Sequence, residues 1–127
     1  MRQKKIQERP TILVVEDENA ARSLVAEFLQ DANYDVLQAE DADAAVGILN
    51  ERPGIDLVFS DILMPGSMSG FGLARWILRH RPTTPVLLTS GFFSQAAVGE
   101  HMADIRVLQK PYSFDQLHQQ IRTMLVS

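Results

Sequence analysis

Apolar residues in this chain gather in short runs separated by stretches of helical period. Four runs rich in β-branched residues have the length of strands: Thr11 to Val15 (TILVV), Leu57 to Ser60 (LVFS), Val86 to Leu88 (VLL) and Arg106 to Gln109 (RVLQ). A weaker fifth, Asp35 to Ala39 (DVLQA), lies between the first two. These runs are too continuous for one wet face and suit a parallel sheet covered on both sides. Between them, Ala20, Ala21, Leu24, Val25, Phe28 and Leu29 recur at the spacing of an amphipathic helix. Asp41 to Asn50 and Gly70 to His80 predict two more helices, the latter burying Leu73, Ala74, Ile77 and Leu78. A last helix is expected to begin at a cap formed by Ser113 and Gln116 and to turn Leu117, Ile121, Met124 and Leu125 inward. Ser94 to Met102, with Gly99 and a poor apolar stripe, predicts a weak and mobile helix.

Strands alternating with helices in this way imply a doubly wound α/β sandwich, a five-stranded parallel sheet with right-handed crossovers and the flavodoxin-like order 2-1-3-4-5. At 127 residues and 46% hydrophobic content the chain makes one domain with a real core. Met1 to Arg9 (MRQKKIQER) reads as a flexible, solvated extension, leaving 10–127 as the domain. There are no cysteines, which excludes disulfides, zinc thiolates and iron–sulfur clusters. No apolar run approaches a membrane span and the first ten residues lack a secretory core, so a cytoplasmic protein without membrane contact is expected. A net charge of −4 disfavours direct nucleic-acid binding.

In an open parallel sheet, ligands bind beyond the carboxyl ends of the strands. Strand one ends in Glu16 and Asp17, strand three in Asp61, strand four in Thr89 and Ser90, and strand five in Lys110. Each has a plain explanation as a loop or cap residue, but together they place three carboxylates, a hydroxyl and an ammonium on one rim. Crowded carboxylates repel, and a hard divalent cation such as Mg2+ neutralises them. One carboxylate could then attack an activated phosphoryl group while Lys110 and Thr89 serve the transferring oxygens. By contrast, Asp41 is expected simply to cap a helix beside Glu40, and His80, His101 and His118 lack ligand spacing. Met64 and Met68 read as packing fillers, and Trp76 as an exposed or half-buried residue away from the rim.

The stretches VVEDE (Val14 to Glu18), SDILMPG (Ser60 to Gly66), LLTSG (Leu87 to Gly91) and QKPYS (Gln109 to Ser113) closely resemble the receiver domains of two-component response regulators, the CheY-like fold, over roughly Thr11 to Val126. The resemblance implies that Asp61 is the phosphoacceptor, forming an aspartyl phosphate from a sensor-kinase phosphohistidine. It implies that Glu16, Asp17, Asp61 and the backbone carbonyl of Leu63 serve Mg2+, with Glu16 acting through water. Thr89 would be the switch hydroxyl and Lys110 the lysine that pairs with the phosphoryl group, followed by a cis bond to Pro111. The chain would catalyse its own phosphorylation and slow self-dephosphorylation rather than turn over external substrates.

Two departures stand out. The family commonly places an aromatic residue three positions before the lysine, and this chain has Val107 there. Signalling would then run through the stretch after Thr89, hinged at Gly91, where Phe92 and Phe93 otherwise read as packing residues. The loop after Asp61 (ILMPGSMSG) is one residue longer than the commonest version. The expected partners are a sensor histidine kinase or phosphotransfer protein and a downstream protein. The latter would bind a face made by strands four and five with the last two helices, and a homodimer could use the same region. Within 127 residues there is no room for an output domain, whether the module stands alone or comes from a hybrid kinase or longer regulator. Two alternatives fit less well. A haloacid-dehalogenase phosphatase needs an Asp-x-Asp motif on the first strand, where this chain has Glu16-Asp17-Glu18. An FMN carrier needs a Ser-, Thr- and Gly-rich phosphate loop there.

Overall fold

The computed structural model describes residues 9–91 and 105–126. The elements run β1 (Thr11–Val15), α1 (Asn19–Asp31), β2 (Asp35–Ala39), α2 (Ala42–Glu51), β3 (Leu57–Asp61), α3 (Gly70–His80), β4 (Val86–Ser90), β5 (Arg106–Gln109) and α4 (Phe114–Leu125). The five strands form one sheet in the order β2-β1-β3-β4-β5, every pair parallel. The helix predicted over Ser94 to Met102, Phe92 and Phe93 before it, His101, and the extension up to residue 8 lie outside the described residues.

Strand alternation divides the interior into two clusters. Leu13, Val15, Val58 and Leu88 point to one face and pack with Ala45 and Leu49 of α2 and Leu73 and Ile77 of α3. Ile12, Val14, Leu57, Phe59 and Leu87 point to the other and meet Val25 and Leu29 of α1 and Leu117 and Ile121 of α4. The central strands β1, β3 and β4 are thus dry on both sides, as their unbroken apolar runs require. The edge strands β2 and β5 are only partly covered, which is why DVLQA and RVLQ carry polar residues.

Helix starts follow their capping chemistry. Asp41 accepts from the Ala44 amide, Ser69 from the Gly72 amide, and Ser113 and Gln116 form a reciprocal capping box at α4. Two predicted inward residues face solvent instead. Leu24 is 59% and Leu78 63% exposed. In α1 the buried stripe is Val25, Ala26 and Leu29, and at about 100° per residue Leu24 falls on its far side. In α3 the stripe of Leu73, Ala74 and Ile77 leaves Leu78 on its flank. β3 and β4 also run one and two residues further than their apolar cores, through Asp61 and through Thr89 and Ser90. No helix among the described residues is long and apolar enough to cross a membrane.

Candidate functional site

Because all strands run the same way, their carboxyl ends share one rim. The register pairs Val15 with Ser60 and Asp61 with Thr89, and sets Ser90 beside Gln109. Residues that continue these strands, Glu16 and Asp17 from β1 and Lys110 from β5, are thereby brought toward Asp61. The Glu16 amide extends the ladder by donating to Ala39 at 3.1 Å, and the Lys110 amide does so by donating to Ser90 at 3.1 Å.

Asp61 is 8% exposed and is the centre of the cluster. Lys110 Nζ donates to Asp61 Oδ2 at 2.9 Å and stands 3.9 Å from Glu16 Oε1. The Leu63 amide donates to Asp61 Oδ1 at 3.3 Å. Glu16, Asp17 and Asp61 each present a carboxylate oxygen, all within 4.8 Å of one another. Burial raises the Glu16 carboxyl to about 7; the Glu18 amide, donating to Oε2 at 3.0 Å, opposes this, while a hydrogen bond with Asp17 and the charge of Asp61 add to it. Burial lowers the Lys110 ammonium, but the hydrogen bond and charge of Asp61, with the charges of Glu16 and Asp17, outweigh it and leave it above the usual lysine value. The donor set, three hard carboxylate oxygens from Glu16, Asp17 and Asp61 gathered at one rim, is of the kind that would hold magnesium.

Thr89 is buried beside Asp61, with its hydroxyl engaged elsewhere: Oγ1 donates to the Leu108 carbonyl of β5 at 2.7 Å. Val107 is half-buried against the first core cluster. The Lys110–Pro111 bond is cis. The loop after Asp61 turns at Gly66, whose φ of +104° suits only glycine, and is tied to α2 by Ser67, whose hydroxyl contacts both Asp43 carboxylate oxygens at 3.0 Å. Met64 and Met68 pack partly buried against the first cluster, and Trp76 is half-buried on α3 beside His80, away from the rim. His118 lies edge-on to Phe28 and Tyr34, a packing role.

Three residues at the rim escaped the sequence reading. Tyr112 packs edge-on against Phe59, and burial with the charges of Glu16 and Asp61 raises its hydroxyl to about 12. Gly70 lets the start of α3 approach the backbone of Asp61. Arg22 reaches back from α1 to the Glu16 carbonyl at 2.8 Å. A cation in the first turn of a helix opposes the helix dipole, and that was the available signal for Arg22. A shallow, mostly apolar depression of about 550 Å3, lined by Ala21, Leu24, Val25, Pro111, Tyr112 and Phe114, opens next to Lys110.

Comparison with known proteins agrees with this geometry. Residues 12–122 match the family model of the response regulator receiver domain. The chain is 35% identical over 118 residues to the sensor kinase CckA of Brucella abortus, covering 91% of this chain but 12% of that protein. It is 32% identical to the response regulator receiver protein CpdR of the same organism, covering 91% of this chain and 97% of CpdR. Among solved structures, the receiver domain of NtrX from Brucella abortus superimposes with a TM-score of 0.82 at 33% identity, covering 91% of this chain and 98% of that one. With its CheY-like sheet order and acid-lined rim, this chain belongs to the receiver domains of two-component response regulators.

Proposed function

We propose that this receiver domain takes a phosphoryl group from a phosphohistidine of a sensor kinase or phosphotransfer protein onto Asp61, with Mg2+ required, and later releases it by hydrolysis. The observation that carries the reading is the buried Asp61 carboxylate, held 2.9 Å from Lys110 with the oxygens of Glu16 and Asp17 within 4.8 Å. An Asp61 oxygen attacks phosphorus as the phosphorus–nitrogen bond breaks, and its electron pair leaves with the imidazole. Asp17, Asp61 and the Leu63 carbonyl would hold the metal directly and Glu16 through water; when bound, Mg2+ supplies positive charge against the phosphoryl oxygens. Lys110, already paired with Asp61, offers its ammonium to the same oxygens. In the return step water attacks phosphorus, releasing phosphate and the Asp61 carboxylate.

Phosphorylation would draw the Thr89 hydroxyl away from Leu108, exchanging a 2.7 Å bond across β4 and β5 for one to the phosphoryl group. That exchange couples Asp61 to β5, and with Val107 in place of an aromatic ring it is the Thr89–Leu108 bond that relays the change. The responding surface is the β4–β5 side with α4, where a downstream protein or a second copy would bind. The apolar depression beside Lys110, with exposed Leu24, gives the donor protein a landing next to Asp61. Phosphoramidate with Mg2+ should add one phosphoryl group by intact mass, and excess chelator should abolish the gain. No gain, or a gain indifferent to the chelator, would overturn the reading.

A further inference from the structure

Glu16 makes the β1–α1 turn depend on a residue outside the acid cluster. Its amide donates to Ala39 at 3.1 Å and its Oε2 accepts from the Glu18 amide at 3.0 Å, leaving Oε1 toward Lys110. The remaining polar group, its carbonyl, accepts from Arg22 Nη1 at 2.8 Å. The same guanidinium donates through Nη2 to Asn19 Oδ1 at 2.6 Å and through Nε to Gln38 Oε1 at 3.2 Å. One planar fork therefore joins the turn that bears both acids, the start of α1 and the edge strand β2. Lysine cannot reproduce that geometry, because its ammonium is a point donor.

The location is costly for a cation. Arg22 lies in the first turn of α1, where the helix dipole is unfavourable to positive charge, and three acceptors offset this. Meanwhile the turn carries Glu16 and Asp17 beside Asp61, and repulsion among these carboxylates works to open it. The structure assigns Arg22 as a positioning residue: its fork clamps the Glu16 carbonyl so that Glu16 and Asp17 face Asp61 at a spacing a divalent cation can bridge. Arg22 touches neither the phosphoryl site nor any carboxylate of the cluster. It acts through the backbone, as outer partners of metal ligands do.

The inference rests on the magnesium reading above, and its test separates the two. Mg2+ is titrated calorimetrically into wild type, Arg22→Ala, Arg22→Lys and, as a control on exposed α3, Arg75→Ala, at a temperature where circular dichroism shows all four folded. Arg22→Ala should raise the Mg2+ Kd by about tenfold or more, Arg22→Lys should recover part of that loss, and Arg75→Ala should match wild type. In metal-free protein the Glu18 amide, whose acceptor is set by the same turn, should exchange with solvent faster in Arg22→Ala. A role in overall stability alone would lower the melting temperature and leave Mg2+ affinity unchanged. Wild-type affinity in Arg22→Ala, or full recovery with lysine, overturns the assignment. Absence of Mg2+ binding in wild type instead overturns the metal reading, and the Glu18 exchange rate then decides whether the clamp exists. Should Arg22→Ala fail to fold, Gln38→Leu removes one acceptor and should weaken Mg2+ by about threefold, the equivalent of one weak hydrogen bond; no change there would likewise refute the clamp.

Discussion

Gly70 is where the fold and the site can be perturbed together. It opens α3, and its amide donates to the Ile62 carbonyl at 2.8 Å, which fastens the helix to the end of β3. A Cβ at this position would lie 2.6 Å from Ile62 Cα and 3.0 Å from the Asp61 carbonyl carbon, and closer still to the Asp61 carbonyl oxygen. Carbon atoms rest comfortably at about 3.5 Å or more, so Gly70→Ala must part α3 from β3 by about 0.9 Å. Both sides of the contact are backbone, so no side chain can swing away. Overpacking of this kind costs about 1–3 kcal/mol, and stretching the Gly70–Ile62 bond adds about 1 kcal/mol. The expected loss is therefore about 2–4 kcal/mol by urea denaturation, with weaker Mg2+ binding because the wedge presses on Asp61. Two other glycines calibrate the measurement. A Cβ on Gly72 meets only the flexible Met68 side chain, at 2.5 Å, so Gly72→Ala should cost less than about 1 kcal/mol. Gly47 is exposed within α2 with nothing within 4 Å, and Gly47→Ala should stabilise by about 0.5–1 kcal/mol. Gly70→Ala within about 0.5 kcal/mol of wild type would refute the close-approach argument.

The pH dependence has a definite sign. Glu16 is raised to about 7 from an ordinary 4.5, so the folded protein holds a proton that the unfolded chain has released, and metal-free stability falls as pH rises through that interval. Solvent screening of this partly exposed group reduces the effect to about 1 kcal/mol. Urea midpoints of metal-free wild type should therefore decline from pH 5 to pH 7.5 more steeply than those of Glu16→Gln, and equal slopes would contradict the assignment. Lys110→Ala should slow phosphorylation by phosphoramidate at least tenfold, since it removes the cation paired with Asp61, whereas wild-type rates would reduce Lys110 to a structural ion pair. Ser113→Ala breaks the capping box of α4 and should cost about 1 kcal/mol in thermal or urea unfolding without altering Mg2+ affinity.

The strand order and the convergence on one rim were legible because both follow from local signals. Unbroken apolar runs such as LVFS and VLL mark strands covered on two faces, and a parallel sheet gathers the residues that end them. The Asp41 and Ser113 caps were equally legible, since capping is chemistry within four residues. Leu24 and Leu78 were misplaced because apolar spacing fixes a stripe only to within about one residue, and which flank is covered depends on neighbouring elements. Thr89 and Ser90 end β4 as the sequence implies, while their burial inside the strand is set by β3 and β5 on either side and is not visible in the apolar run Val86 to Leu88. Gly70 and the Ser67–Asp43 tie act across elements, so no window of sequence shows them, whereas Arg22 offers only the weak local signal of a cation in the first turn of a helix.

The central claim is that Asp61 alone accepts the phosphoryl group in a pocket built by Glu16, Asp17 and Lys110. Its most direct measurement is mass-spectrometric mapping of protein labelled with phosphoramidate and Mg2+, with the acyl phosphate trapped by borohydride reduction, on wild type and Asp61→Asn in parallel. The account predicts one modified position, Asp61, in wild type and no labelling in Asp61→Asn. A label on another residue, or undiminished labelling of Asp61→Asn, would contradict it.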